Sequence, residues 1–253
     1  MQLSVIIITR NEEANIVECL QSVAFADEVI VLDHASTDAT ADLARALGAR
    51  VHTTPTWPGF GPQKNSALAL ATGDWVLSLD ADERVTAALR AEMMQVIQSS
   101  DRCNAFEIPR SSSYCGQFIR YSGWSPDYVL RLFRRDCARF SDDVVHERVL
   151  FDGRRTRLTS PLLHLSFPDF ESVLEKLNRY STAGAKAMDN RAKSATLVGA
   201  VGHGLWAFVR TYFLQCGFLD GQLGLALAIS NAEGTYYRYA KRWLAIRNQD
   251  AQW

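Results

Sequence analysis

Residues 77–85 read LSLDADERV, and they close the apolar run DWVLSLD (74–80), which climbs to Leu79 and then meets Asp80, Asp82 and Glu83. A run of this kind reads as a strand buried on both faces, and such a strand ends on crowded carboxylates only where something offsets their charge. Two earlier runs have the same character: LSVIIIT (3–9), continuous and β-branched, and EVIVLD (28–33), ending on Asp33. RVHTT (50–54) is a shorter third strand. Between the strands stand helical segments. EEANIVECLQSV (12–23) places Ile16, Leu20 and Val23 on one face. ASTDATADLARALG (35–48) has Ser36 or Thr37 as its expected N-cap and Gly48 as its stop, and QKNSALALATG (63–73) ends at Gly73. The loop PTWPGFGP (55–62) is rich in Gly and Pro. Strand and helix alternating at these intervals predict βαβ units and a mostly parallel α/β sheet flanked by helices.

After about residue 100 the pattern changes. Short strand-like pieces (AFEIPR, YVLRLFRR, VVHERVLF, LLHLSF) alternate with turns, and from Asp169 onward the chain reads as helix. The expected layout is an α/β domain over 1–168, split into halves of about 1–100 and 101–168, then a helical segment over 169–253.

The 253 residues are 47% apolar and 22% charged, with a formal net charge of -1, which excludes disorder and offers no overall basic field for nucleic acid. Five cysteines, an odd number without a C-x-x-C pair, argue against a disulfide framework or zinc knuckle and fit a reducing cytoplasm. LSVIIIT follows the N-terminus with no basic segment before it, so no signal peptide is expected. No uncharged apolar stretch reaches the ~18 residues of a spanning helix.

In open α/β sheets ligands bind beyond the carboxyl ends of the strands. Three strands here end in polar residues: Thr9-Arg10-Asn11-Glu12, Asp33-His34-Ala35-Ser36-Thr37-Asp38, and Asp80-Ala81-Asp82-Glu83. Asp80 and Asp82 repel each other unless a cation lies between them, and a hard divalent ion, Mg²⁺ or Mn²⁺, carrying a diphosphate suits oxygen ligands of this kind. The alternative is that Asp82 and Glu83 cap a helix starting near Val85. Neither G-x-x-x-x-G-K-[ST] nor a G-x-G-x-x-G after the first strand is present, which disfavours a P-loop kinase or a dinucleotide dehydrogenase.

SVIIITRNEE, EVIVLDHASTDAT, QKNSALALATGDWVLSLDADE and VVHERV resemble glycosyltransferase family 2, inverting enzymes with the GT-A fold. RLFRR (131–135), VHERV (145–149), LLHLSF (162–167), KLNRYS (176–181) and GFLDG (217–221) resemble more narrowly the bacterial lipopolysaccharide core glucosyltransferases. The resemblance implies that Thr9, Asn11 and Glu12 line a nucleoside pocket, that Asp33 accepts from the uracil N3–H, and that Lys64 lies near the phosphates. It implies Asp82 as the metal ligand, with Asp80 reaching ribose or metal. Many family members carry Asp-Asp-Gly-Ser where this chain has Asp33-His34-Ala35-Ser36, so no role passes to position 34. The implied reaction moves glucose from UDP-glucose to an inner-core lipopolysaccharide acceptor, a heptose. The alternatives are a family 2 transferase for another polysaccharide or lipid-linked acceptor, and a sugar-binding homologue without turnover.

An inverting transfer needs a base for the acceptor hydroxyl. Glu147 is the candidate, with Asp143 second. His146 reads either as a metal or phosphate contact or as a structural histidine; His164 carries the same ambiguity and leans structural. Arg131 and Arg134 could each grip the diphosphate as a bidentate donor or stand as solvated strand-edge charges. In the C-terminal third, ATLVGAVGHGLWAFVRTYFLQCGFL (195–219) is apolar and aromatic, and Tyr236, Tyr237, Tyr239 and Trp243 mix with Arg238, Lys241, Arg242 and Arg247. That mixture suits either a headgroup interface or a packed helix with a solvated basic face. With a lipid-linked acceptor, it gives a cytoplasmic protein in peripheral contact with the inner membrane as the expectation.

Overall fold

In the computed structural model, which describes residues 1–99, 104–142, 148–189 and 194–250, the chain opens with β1 (Leu3–Thr9), α1 (Glu13–Ser22), β2 (Glu28–Asp33), α2 (Thr40–Ala46), β3 (Arg50–Thr53), α3 (Phe60–Leu70) and β4 (Trp75–Asp80). β1 lies between β2 and β4, parallel to both, and β3 extends the set beyond β2. Apolar cores on both faces explain the unbroken apolar runs. Val5, Ile7, Leu77 and Leu79 pack with Ile16, Leu20, Leu89 and Met93, while Ile6, Ile30, Leu32 and Val76 pack with Ala67, Leu68 and Phe133. The register sets Thr9 opposite Asp33 and Ile8 opposite Asp80, so the polar strand ends come out level at one sheet edge.

The chain continues with β5 (Glu83–Val85), α4 (Ala87–Ser99), β6 (Asn104–Tyr114), β7 (Gln117–Phe118), β8 (Asp127–Arg134), β9 (Ala138–Phe140), β10 (Val149–Phe151), β11 (Arg154–Arg157) and β12 (Leu162–Phe167). The sheet order is β3-β2-β1-β4-β8-β6-β12-β5, with β8 antiparallel to β4 and β5 antiparallel to β12. It is a mixed sheet whose first four strands are parallel.

Two helix starts differ from the sequence expectation. α2 begins at Thr40, because the Ser36 hydroxyl accepts the Asn11 amide (2.8 Å) and donates to Asp33, and the Thr37 hydroxyl donates to Asn11 Oδ1 (3.4 Å), which turns both side chains away from helix capping. α4 is capped by Thr86, whose hydroxyl oxygen accepts the Leu89 amide at 3.1 Å. Glu83 belongs to β5 instead, so the reading of Asp82 and Glu83 as helix caps falls.

Two compact units emerge: Met1–Ser111 with Asp127–His164, and Ser112–Pro126 with Leu165–Trp253. The second unit therefore takes in a segment, Ser112–Pro126, that the sequence pattern placed with the α/β domain. It also contains α5 (Phe170–Asp189), α6 (Leu197–Val209), a π-type turn (Arg210–Leu214), a 3-10 turn (Gly217–Asp220) and α7 (Gly221–Asp250). α6 is tied to α7 by stacking of His203 on Tyr239 at 3.9 Å. A Cβ at Gly224 would lie 1.9 Å from the Gly217 carbonyl oxygen, so the turn and α7 meet where only glycine fits. The basic face expected on α7 is partly turned inward. Lys241 Nζ donates to Asn178 Oδ1 (2.7 Å), Ser181 Oγ (2.8 Å) and Thr182 Oγ1 (2.8 Å), and Arg242 is buried. Among the described residues no single helix is long and apolar enough to cross a membrane; Leu197–Leu214 and Gly217–Asn248 qualify only as a pair, bent by 70°. Cys19, Cys115 and Cys216 are free thiols, but Cys137 is disulfide-bonded, which corrects the reading of the cysteines as reduced: an odd count and the lack of a C-x-x-C pair do not exclude one bridge between cysteines distant in sequence.

Candidate functional site

The turns after β1 and β2 are laced together. Buried Asp33 accepts from the Thr9 hydroxyl (3.1 Å), the Ser36 amide (2.9 Å) and the Ser36 hydroxyl. Three of the roughly four acceptor positions of a carboxylate are thus filled. Asn11 adopts a left-handed backbone (φ 56°), and its amide donates to Ser36 Oγ at 2.8 Å while the Glu12 amide donates to Thr40 Oγ1 at 2.7 Å. Asn11 takes this conformation because asparagine tolerates the left-handed region. The Glu12 carboxyl is raised above its ordinary range, chiefly by burial and further by the charges of Asp82, Asp38 and Asp80, against a hydrogen bond from Asn15.

After β4 the chain makes a tight turn that side chains hold from both sides. Arg84 donates to the Ala81 carbonyl (2.7 Å), the Glu83 carbonyl (2.9 Å) and the Asn15 carbonyl on α1 (2.9 Å). Fully buried Glu83 accepts the Asp80 amide at 3.0 Å. Arg131, on β8, donates to both Asp80 and Glu83, the latter at 2.7 Å. Lys64, on α3, reaches Asp80 Oδ1 at 3.1 Å. Burial pushes the Asp80 carboxyl up, but the charges of Arg131 and Lys64 outweigh it and hold the group far below the usual range. For Glu83 burial wins: the carboxyl is raised despite Arg131, and the charge of Asp80 adds to the rise. The counter-charge that Asp80 requires is therefore supplied by the protein itself. Asp82 stands apart from this network, with His164 Nε2 at 3.2 Å from its Oδ2.

Beside Asp80 opens a cavity of about 630 Å³. Lys64, Arg110, Arg131, Arg148 and Arg155 line it, and Asp80 is the one acid among its described residues. Such a surplus of guanidinium and ammonium groups suits a multiply charged anion such as a diphosphate.

The model of the family described as glycosyl transferase family 2 matches residues 4–153. The chain belongs to glycosyltransferase family 2. Its α/β unit is the GT-A fold of that family. An uncharacterized glycosyltransferase of Rickettsia typhi is 31% identical over 98% of this family 2 chain and 89% of the relative. The lipopolysaccharide core biosynthesis glycosyltransferase LpsC of Rhizobium meliloti is 29% identical over 95% of this chain and 94% of its own. The glucosyl-3-phosphoglycerate synthase of Mycobacterium tuberculosis, solved with Mn²⁺, UDP and glucosyl-3-phosphoglycerate, aligns at 30% identity and a TM-score of 0.37 over 46% of this chain and 44% of that one.

Within this family 2 chain, the structure gathers Thr9, Asn11, Glu12 and Asp33 at one part of the sheet edge, and Lys64, Asp80 and Arg131 at another. Arg134 is not among them. It pairs with Trp75 at the start of β4, five residues before Asp80 and so about 16 Å away by strand rise. Its Nε lies 3.7 Å from Asp136, and the expectation that it grips a donor is withdrawn. Arg131 is not an open bidentate donor either, since its guanidinium is buried between two carboxylates. Asp143, His146 and Glu147 lie outside the described residues. Sequence reading passed over Arg110, Arg148 and Arg155; the one local signal was Arg148, directly after V-H-E. Nor did it pair His164 with Asp82, because β12 and β5 meet only through tertiary pairing, which sets His164 opposite Glu83.

Family 2 implies a divalent ion, and the donor chemistry at Asp82 is compatible with one. Both Asp80 oxygens are engaged by Lys64 and Arg131, which leaves Asp82 and His164 as one oxygen and one nitrogen donor side by side. No trio of His, Cys, Asp or Glu converges on an ion among the described residues. A two-donor site leaves the other coordination positions to diphosphate and water, as Mg²⁺ and Mn²⁺ commonly do.

Proposed function

We propose that this chain is an inverting transferase that moves glucose from UDP-glucose onto a heptose of the lipopolysaccharide inner core, with a divalent cation held by Asp82 and His164. The observation that carries the reading is the cation-lined cavity beside Asp80, at the level carboxyl ends of parallel strands in a family 2 chain. The alignment with LpsC along nearly the whole of both chains supports the acceptor class, and the resemblance to core glucosyltransferases supports the sugar. An imidazole donor favours Mn²⁺ over Mg²⁺.

In this reading the last acceptor position of Asp33 takes the uracil N3–H, with Thr9, Asn11 and Glu12 shaping the pocket around the nucleoside. Lys64 and Arg131 orient Asp80 toward the ribose, while Arg110, Arg148 and Arg155 face the diphosphate. The cation, when bound, offsets charge on the leaving diphosphate. Glu147 removes the acceptor hydroxyl proton as that oxygen attacks the anomeric carbon, with Asp143 the second candidate.

Calorimetry of UDP binding with and without Mn²⁺ tests the assignment. Wild-type affinity is expected to rise with the metal, and Asp82→Ala to lose that rise; the same metal-linked gain in the variant would sink it. Glu147→Gln is expected to lower transfer about 10²–10⁴-fold at unchanged UDP affinity, and a larger loss in Asp143→Asn would pass the base role to Asp143. A lipid-linked acceptor brings the protein to the cytoplasmic face of the inner membrane. The supporting surface is on α6 and the turn after it, where Val198 (83% exposed), Leu205 (64%), Trp206 (57%) and Leu214 (63%) show apolar side chains. Leu205→Glu with Trp206→Glu is expected to reduce sedimentation with phospholipid vesicles; equal sedimentation of variant and wild type would remove this surface from the proposal.

A further inference from the structure

The helical unit contains a second cavity, of about 480 Å³, that the donor chemistry does not use. Its size falls in the ~300–1,000 Å³ range of small-molecule sites. Three cationic side chains line it, Lys176, Arg210 and Arg238, and no Asp or Glu does among the described residues. Arg210 and Arg238 make no ion pair with any described carboxylate. Arg238 is nevertheless seated: it lies across Gly184 of α5, where a Cβ would come within 2.6 Å of its Nε. A cation positioned this way without an acidic partner is set for an anion brought from outside.

The remaining wall suits a sugar. Trp124 and Tyr180 supply aromatic faces, and Gln215 and Asn231 supply amides that can both donate and accept. Trp124 is fixed by Tyr114 at 6.0 Å and Phe167 at 6.1 Å between ring centroids. The backbone is unusual at two places in the wall and at a third, Cys216, that directly follows the lining residue Gln215. Ser122 (φ 58°) and Cys216 (φ 55°) are left-handed without being glycine, and Arg210–Leu214 forms a π-type turn. Such departures gather at binding sites, and here buried Asp220 maintains one of them. It accepts the amides of Arg120 (2.9 Å) and Tyr121 (3.1 Å) and the Ser122 hydroxyl (2.9 Å). The GFLDG motif (217–221) thus positions the loop that carries Trp124.

We infer that this cavity is a binding site for an anionic saccharide, one bearing a phosphate or carboxylate group, with Arg210 and Arg238 gripping the anion and Trp124 packing against the sugar.

Ligand-observed NMR on the full chain tests it with mannose 6-phosphate, glucuronate, mannose and inorganic phosphate as probes. Mannose 6-phosphate, glucuronate or both are expected to bind more tightly than mannose, the pattern telling phosphate from carboxylate. Arg210→Gln with Arg238→Gln is expected to weaken that binding about tenfold or more while UDP affinity stays unchanged. Arg238→Gln alone, at an exposed position, serves if the double variant does not fold. Four results would overturn the inference: no binding of either charged sugar, mannose binding as tightly as the charged sugars, inorganic phosphate binding as tightly as mannose 6-phosphate, or no loss in the variants. Phosphatidylglycerol vesicles that pellet wild type but not the variants, with no charged sugar bound, would assign the cations to lipid headgroups and overturn it as well. Wild-type protein that binds a charged sugar but not UDP would remove the donor reading and uphold the cavity as a binding site.

Discussion

Glu83 in β5 and Asp220 before α7 are both buried carboxylates at tight turns, with 0% and 6% of their surface exposed. They are satisfied in different ways. Glu83 faces Arg131 at 2.7 Å and Arg110 at 3.7 Å, and it shares Arg131 with Asp80. Asp220 meets two backbone amides and a hydroxyl, with no ion pair among the described residues. In the first unit Lys64, Arg110 and Arg131 are tied to acids, and these pairs fix the shape and charge of the edge where a diphosphate would lie. In the second unit a carboxylate holds a loop without consuming a cation, which leaves Arg210 and Arg238 for a ligand. Ionic pairing of buried groups is costly to break, whereas a clamp of neutral donors is local and milder.

The sharpest way to break this comparison is Arg131→Gln. The substitution leaves Asp80 and Glu83 facing each other with their shared cation gone, and losing one partner of a buried ion network costs about 3–5 kcal/mol. Urea denaturation at pH 7 would measure it, and a loss below about 1 kcal/mol would show that the network does not depend on Arg131. Asp220→Asn should be milder. The amide side chain offers one acceptor oxygen in place of two and sets an NH₂ against backbone donors, a mismatch worth about 1–3 kcal/mol. Hydrogen exchange at the Arg120 and Tyr121 amides should accelerate and binding of charged sugars should weaken, with UDP affinity preserved. Unchanged exchange at both amides would refute the clamp.

The smallest effect is expected at Glu28, which combines the two devices. Its carboxylate accepts from the Ser4 hydroxyl (2.7 Å) and the Thr72 amide (2.9 Å), and pairs with Arg50. Burial pushes its carboxyl up, but these hydrogen bonds outweigh it and lower the group below its ordinary value of 4.5. A carboxyl lowered on folding stabilises the protein above its unfolded value and loses that contribution as pH falls through the folded one. Glu28→Gln should therefore cost about 1 kcal/mol at pH 7, with the gap to wild type narrowing as pH drops below 4.5. A gap that stays constant between pH 7 and pH 3 would exclude the linkage.

Much of the first unit was legible because its signals are local. An apolar run with no polar alternation implies a strand covered on both faces, and LSVIIIT, EVIVLD and DWVLSLD all became parallel strands. The polar residues after them had to emerge at one edge, since parallel strands share a direction. Signals failed where a side chain had two possible partners. Ser36 and Thr37 read as helix caps, yet hydrogen bonds to Asp33 and Asn11 claimed their hydroxyls. Lys241 and Arg242 read as an exposed basic face, yet α5 supplied Asn178, Ser181 and Thr182 to receive Lys241.

By itself the sequence determined the order of strands and helices, the carboxylates at the strand ends and the family to which the chain belongs, because burial on two faces and turn chemistry are written in consecutive residues. Only the tertiary structure decided which charges meet. Arg131 and Arg134 stand three apart on one strand and look equivalent in the sequence. The antiparallel register of β8 against β4 sets Arg134 beside Trp75 at the start of the strand, while Arg131 donates to Asp80 at its end. An ion pair depends on a few ångströms of separation, and that separation follows from strand register, which no residue specifies alone.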